Sequence, residues 1–159
     1  MSYLGAAVAT MLLAGCARLG SGSPAASPLD LPAVTAALRS GGIAVLDVQD
    51  NLNPQDGAWR CLPGSFRLSR VLQQLPAALA LLGDKPPVDI LVFASDGERA
   101  AAQAAIGADG QVHASGCAAM VEWVATPHVF GARNVLLFIA TDDPAALAAV
   151  KAAATRLGG

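Results

Sequence analysis

Three continuous apolar runs stand out along the chain: residues 42–48 (GIAVLDV), 88–95 (VDILVFAS) and 134–141 (NVLLFIAT). They are unbroken rather than alternating, the pattern of strands covered on both faces. Between them the apolar spacing lengthens to that of helices. Residues 31–40 read as a helix stopped at Gly41-Gly42. Residues 69–82 carry Leu72, Leu75, Leu79 and Leu82 at three-to-four spacing and stop at Gly83. Residues 98–106 form a short alanine-rich pattern, and residues 144–157 a closing helix with Asp143 as N-cap and Gly158-Gly159 after it. Residues 111–115 (QVHAS) predict a short edge strand, while 117–126 (CAAMVEWVAT) fit either a helix or a further strand.

The alternation of helix and strand predicts an α/β domain of three layers: a mainly parallel sheet of three to five strands with helices on both faces. A parallel sheet would bring the C-terminal ends of its strands to one edge, where such proteins place ligands. Each run closes on acid: Asp47 and Asp50, then Asp96, then Asp142 and Asp143. Asp47, Asp96 and Asp142 gathered at that edge would hold a hard cation or hydrogen-bond a polyol. The plainer reading is capping, with Ser95 and Glu98 forming a capping box and Asp143 an ordinary N-cap.

Composition narrows the function classes. A chain of 159 residues has the size of one domain plus an extension. Its net charge of −2 gives no basic stripe for nucleic acid. Hydrophobic content reaches 54%, much of it alanine, whereas aromatics make up only 4%. The core is therefore expected to be rich in Leu, Val and Ala, with closely packed helices. No GxSxG, P-loop or GxGxxG after a strand occurs, and no Cys/His cluster has ligand spacing. No cofactor or metal is expected. His113 and His128 stand apart, so a Ser-His-Asp set would have to assemble in space.

The N-terminal segment reads differently. Residues 4–14 are an apolar run of signal-peptide length, too short for the roughly 20 residues that span a bilayer. Leu13-Ala14-Gly15-Cys16 resembles the lipobox of bacterial lipoprotein signal peptides. The resemblance implies a diacylglyceryl group on the Cys16 thiol, cleavage before it, and acyl chains such as palmitate holding the protein at a membrane. Each buried CH₂ would contribute about 0.8 kcal/mol to that anchorage. A buried N-terminal helix with Cys16 in its core is the alternative. RLGSGSPAASP, residues 18–28, has linker composition. The expected organisation is a signal peptide over 1–15, a lipidated cysteine and flexible linker over 16–29, and one α/β domain over 30–159.

Setting Cys16 aside leaves Cys61 and Cys117, the number that makes one disulfide in an exported domain. Buried free thiols, or a catalytic Cys61 beside a histidine, are the alternatives. The long Gly/Pro-punctuated connection over 51–70 holds Trp59, Arg60, Phe66, Arg67 and Arg70 around Cys61. Arginine forks beside an aromatic platform suit an anionic or carbohydrate ligand, or a protein. Packing of Trp59 and Phe66 on the sheet edge, with solvated arginines, is the structural alternative. The leading functional expectation is a lipid-anchored lipoprotein of the bacterial cell envelope, a non-catalytic binding or accessory module for a protein or glycan partner. The rival is an envelope hydrolase or metal-assisted enzyme built on the acidic edge.

Overall fold

In a computed structural model of the chain, residues 27–55, 57–73, 85–117 and 121–159 are described. Helix α1 (Leu31–Gly41) leads into β1 (Asp47–Leu52), β2 (Phe66–Leu72) and β3 (Val88–Phe93). Helix α2 (Asp96–Ala104), β4 (Pro127–Ala132), β5 (Val135–Ala140) and α3 (Pro144–Gly158) complete the chain. The five strands form one sheet in the order β1-β2-β3-β5-β4, and every adjacent pair is antiparallel.

The mainly parallel sheet is therefore corrected. Two strands that the apolar pattern does not reveal set the direction. FRLSRVL lies where the long connection was expected to pass into a helix, yet Phe66–Leu72 pairs with β3 residue for residue. PHVFGA opens on a proline and contains a glycine, both poor strand signals, yet it pairs with β5 as β4. Ala132 opposes Val135, so β4 and β5 are joined by Arg133 and Asn134 alone. A two-residue connection permits only an antiparallel neighbour. Arg133 takes a left-handed φ of 51° to make it. The first strand also begins later than its apolar run, at Asp47 rather than residue 42. Of the expected helix over 69–82, residues 69–72 belong to β2 and residues 74–82 lie outside the described residues.

Coverage of both faces is as the continuous runs imply. Val71, Val88, Ile90, Val135, Leu137 and Ile139 face α1 and α3 with Val34, Leu38, Val150 and Leu157. Leu68, Leu91, Phe93, Leu136 and Phe138 face the other way, onto Ala102 of α2 and onto Trp59, Cys61, Leu62 and Val112 from irregular segments. A fully buried Val, Leu or Ile contributes roughly 1.5–3 kcal/mol, so the alternating strand faces supply much of the fold's stability.

The helix boundaries follow local chemistry. Asp30 accepts from the Ala33 amide at 2.9 Å, and Gly42 turns left-handed with φ 102°. The Ile43 amide then bonds the Leu38 carbonyl at 3.0 Å and the Gly42 amide that of Arg39 at 3.1 Å, a Schellman ending. Ser95 accepts from Glu98 N–H at 3.2 Å while Glu98 reaches back to the Ala94 amide at 3.2 Å. Asp143 caps α3 through the Ala145 amide at 2.9 Å. Residues 106–117 hold isolated bridges, Ile106 with Val112 and Ala114 with Cys117, in place of the expected edge strand.

Cys61 and Cys117 form a disulfide, with Cα atoms 5.7 Å apart across 56 residues. The bridge ties the loop after β1 to the segment before β4, both on the less regular face. Such a bond belongs to a chain that folds in an oxidising, extracytoplasmic compartment. Among the described residues no helix is long and apolar enough to cross a membrane.

Closing a loop of that length contributes about 4 kcal/mol in the chain-entropy picture. Reduction should lower the melting temperature by on the order of 10 °C, measured by calorimetry with and without a dithiol. An unchanged melting temperature would show that the irregular face holds without its bridge.

Candidate functional site

A groove of about 830 Å³ crosses the end of the sheet where β3 begins and β5 finishes. It is lined by the Gly42–Ala44 turn, by Arg70 and Gln73, by Lys85–Pro87 and Asp89, by Trp123–Ala125, and by Phe138 and Thr141–Asp143. The first two turns of α3 complete it through Ala145, Ala146 and Ala149. Gln73 and Lys85 both stand on its margin, and the intervening residues 74–84 are outside the described set.

One buried carboxylate organises the inner wall. Asp89 interrupts the apolar run of β3 and opposes Arg70 on one side and Phe138 on the other. It is 4% exposed. A charge so placed demands partners. Arg70 provides a two-pronged contact, Nε to Oδ1 at 2.6 Å and Nη2 to Oδ2 at 3.0 Å. The Trp59 indole N–H donates to Oδ2 at 2.9 Å. The hydrogen bond to Asp89 holds the Arg70 guanidinium above its already high ordinary pKa, against the opposing effect of burial. Arg70 remains 39% exposed at its side chain, so part of its fork faces the groove.

The aromatic rings pack beside this pair. Phe138 meets Trp59 edge-on at 4.8 Å and Trp123 at 4.6 Å, and the two tryptophans lie 6.3 Å apart. Trp59 is buried, whereas Trp123 is half-buried and reaches the groove with Phe138. The indole nitrogen of Trp123 is turned inward, close to where a Cβ on Gly110 would sit, and has no hydrogen-bond partner among the described residues. Next to it Val124 is 97% exposed.

The sequence-predicted binding residues divide. Trp59 and Arg70 converge on Asp89, Trp59 from the bridged loop and Arg70 from β2. Arg60 is exposed on that same loop. Phe66 sits at the opposite end of β2, against Phe93 at 5.4 Å. Arg67 points to the other face of the sheet, where its Nε bonds Asp50 Oδ1 at 2.8 Å and Nη2 bonds Oδ2. Ser69 also donates to Asp50 at 2.7 Å. These bonds, that from Arg67 foremost, lower the Asp50 carboxyl to about 2. The five residues thus do not form one surface.

The acids expected at a common edge are separated by the antiparallel sheet. Asp96 follows β3 and Asp142 follows β5, so they lie at opposite ends. Asp47 shares the end of Asp142 but stands three strand spacings away, roughly 14 Å. Asp96 pairs with Arg99, Asp47 accepts from the Val48 amide at 2.8 Å, and Asp142 accepts from the Thr126 hydroxyl and amide. The Thr126 bonds lower the Asp142 pKa. Among the described residues no three of His, Cys, Asp or Glu gather as metal ligands. His113 faces Asp109 at 3.2 Å, and His128 Nε2 lies 3.0 Å from the Thr141 carbonyl.

Asp89, Trp123 and Phe138 were not singled out by sequence reasoning. Asp89 carried a signal, a lone acid inside a strand covered on both faces. Compared with family models, curated proteins and solved structures, the chain matches none.

The Asp50 pair has a pH signature. Because the folded pKa is depressed, its contribution is present above the ordinary carboxylate range, around pH 4, and lost as pH falls through about 2. Both partners are solvent-washed, so Arg67→Ala should leave the melting temperature close to the parent's. Titration of Asp50 by carbon NMR should read about 2 in the parent. In the variant it should move toward an ordinary aspartate, and an unmoved value would contradict the pairing.

Proposed function

We propose that this chain is a lipid-anchored lipoprotein of the bacterial envelope, held through acylated Cys16. Its folded domain is a non-catalytic module that binds an envelope glycan in the groove at the sheet end. The observation that carries this reading is the pairing of half-buried Trp123, backed by the buried ring of Phe138, with fixed polar groups on the groove lining. Sugar rings present an apolar C–H face and a rim of hydroxyls. Aromatic faces receive the first, and a few placed donors and acceptors orient the second.

The polar groups are held in position. Arg70 uses part of its donor fork on Asp89 and keeps the rest for a ligand. Gln73 is fixed by donating to the Pro86 carbonyl at 2.6 Å. Lys85, Thr141 and Asp142 add both signs of charge and a hydroxyl. A lining of mixed sign favours a neutral or zwitterionic ligand over a polyanion. The envelope-enzyme alternative drew on Asp47, Asp96 and Asp142 at one edge, and it loses that support in an antiparallel sheet.

Co-sedimentation of the purified full chain with insoluble cell-wall polysaccharide tests the groove. Trp123→Ala should weaken binding by at least about tenfold, the cost of losing an aromatic anchor. Val124→Asp, at a site with no packing to lose, should weaken it with the melting temperature kept. Arg67→Ala, on the opposite face, should sediment like the parent. If Trp123→Ala and Val124→Asp both bind normally, the groove is not the ligand site.

The anchor has its own test. Intact mass should show acyl groups on the membrane-extracted parent, and Cys16→Ala should lack them and leave the membrane fraction. A variant that still partitions into detergent like the parent would refute the anchor.

A further inference from the structure

Trp123 lies on irregular chain, so something other than a strand or helix must place its ring. Residues 121–126 are fastened at both ends. At the far end the Thr141 amide donates to the Thr126 carbonyl at 2.8 Å, and Thr126 donates to Asp142 through its amide and hydroxyl. At the near end the partner is a side chain. Gln111 donates from Nε2 to the Val121 carbonyl, and its Oε1 accepts from the Val121 amide at 2.9 Å. A primary amide that gives and takes in this way reproduces the two bonds exchanged by paired residues of neighbouring strands.

The turn that carries Gln111 has little freedom. The Gln111 amide donates to Asp109 Oδ1 at 3.0 Å, and its carbonyl accepts from the Gly107 amide at 2.9 Å. Ile106 and Val112 bridge behind it. The His113 amide donates to the Ala105 carbonyl at 2.7 Å, which ties the turn to the end of α2. Gly110 has φ 72°, and a Cβ there would stand 2.9 Å from Trp123 Nε1 and 2.5 Å from Pro127 Cβ. The turn backbone therefore lies against the indole edge. The indole nitrogen is shut away on that side, so what the Trp123 side chain offers the groove is carbon.

From these contacts we infer that Gln111 is a positioning residue of the groove. Its side-chain amide stands in for a strand partner of Val121 and fixes the carbon surface with which Trp123 receives the apolar face of a sugar ring. The inference rests on the glycan reading above and adds to it a residue outside the groove lining on which recognition depends. A side chain at position 111 must both donate and accept to do this, which glutamine does and a carboxylate does not.

The test uses the full chain with its bridge oxidised and both tryptophans replaced by fluorotryptophan, and insoluble cell-wall polysaccharide as the probe. In fluorine NMR the Trp123 resonance is the one that Trp123→Phe removes. Gln111→Ala should move or broaden that resonance more than that of Trp59. It should weaken co-sedimentation by at least about threefold. Gln111→Glu separates positioning from a general loss of stability. Ionised at about pH 7, the introduced carboxyl only accepts and should behave like alanine. Protonated at about pH 4, it gives and takes as the amide does, so resonance and binding should return toward the parent's. Asp109, His113, Glu122 and Asp142 are common to both chains, so the parent at each pH removes their part. An unmoved Trp123 resonance in Gln111→Ala overturns the inference, as does a Gln111→Glu chain whose binding relative to the parent is flat with pH. Full binding by Gln111→Ala beside a weakened Trp123→Ala also overturns it and leaves the groove standing. If Trp123→Ala itself binds like the parent, the groove reading fails and takes the inference with it.

Discussion

A carboxylate buried on the inner face of a sheet cannot stand alone, and the less regular half of this molecule is arranged around that constraint. Asp89 sits among Leu91, Phe138 and Trp59, where an uncompensated charge would be costly. Arg70 answers it from the neighbouring strand and Trp59 from the loop after β1. For Trp59 to arrive there, the loop must fold inward over the sheet. The Cys61–Cys117 bridge holds it in that position from two residues away. The pair and the bridge thus depend on one another: one gives the loop a destination, the other removes its freedom to leave.

The two faces of the sheet are built by different means. On one, α1 and α3 lay regular apolar stripes over small and branched residues, and the Schellman ending of α1 delivers Gly42 and Ile43 to the groove margin. On the other, a short helix covers only part of the surface, and tryptophans, bridged loops and a salt bridge complete it. The second manner of closure leaves polar groups and aromatic rings near solvent at the sheet end. The groove is where that incomplete cover meets the regular helical layer, which is why its walls combine alanines from α3 with Arg70, Asp89 and Trp123.

The two ends of the sheet differ. The tight β4–β5 turn both reverses the chain and holds the segment before α1 through Asn134, so one end of the domain belongs to chain entry. The opposite end, left to connections and to the starts of β3 and α3, carries the groove. The left-handed Arg133 is the local cost of that arrangement.

Much was legible without coordinates, and the reason is locality. Helices α1 and α3, the short α2, and the strands β3 and β5 follow from apolar spacing, N-caps and glycine stops, all encoded within a few residues. Coverage of both sheet faces follows from unbroken apolar runs, and the disulfide from there being two cysteines left to pair. Strand direction was different, because it depends on which segments pair, and Phe66–Leu72 and Pro127–Ala132 become strands only through their neighbours. Those two insertions reversed the sheet, moved Asp96 and Asp142 to opposite ends, and sent Arg67 and Arg70 to opposite faces. The convergence of Arg70 and Trp59 on Asp89, with Phe138 and Trp123 packed beside them, joins residues far apart along the chain. No local pattern records such a meeting, and tertiary pairing alone brings it about.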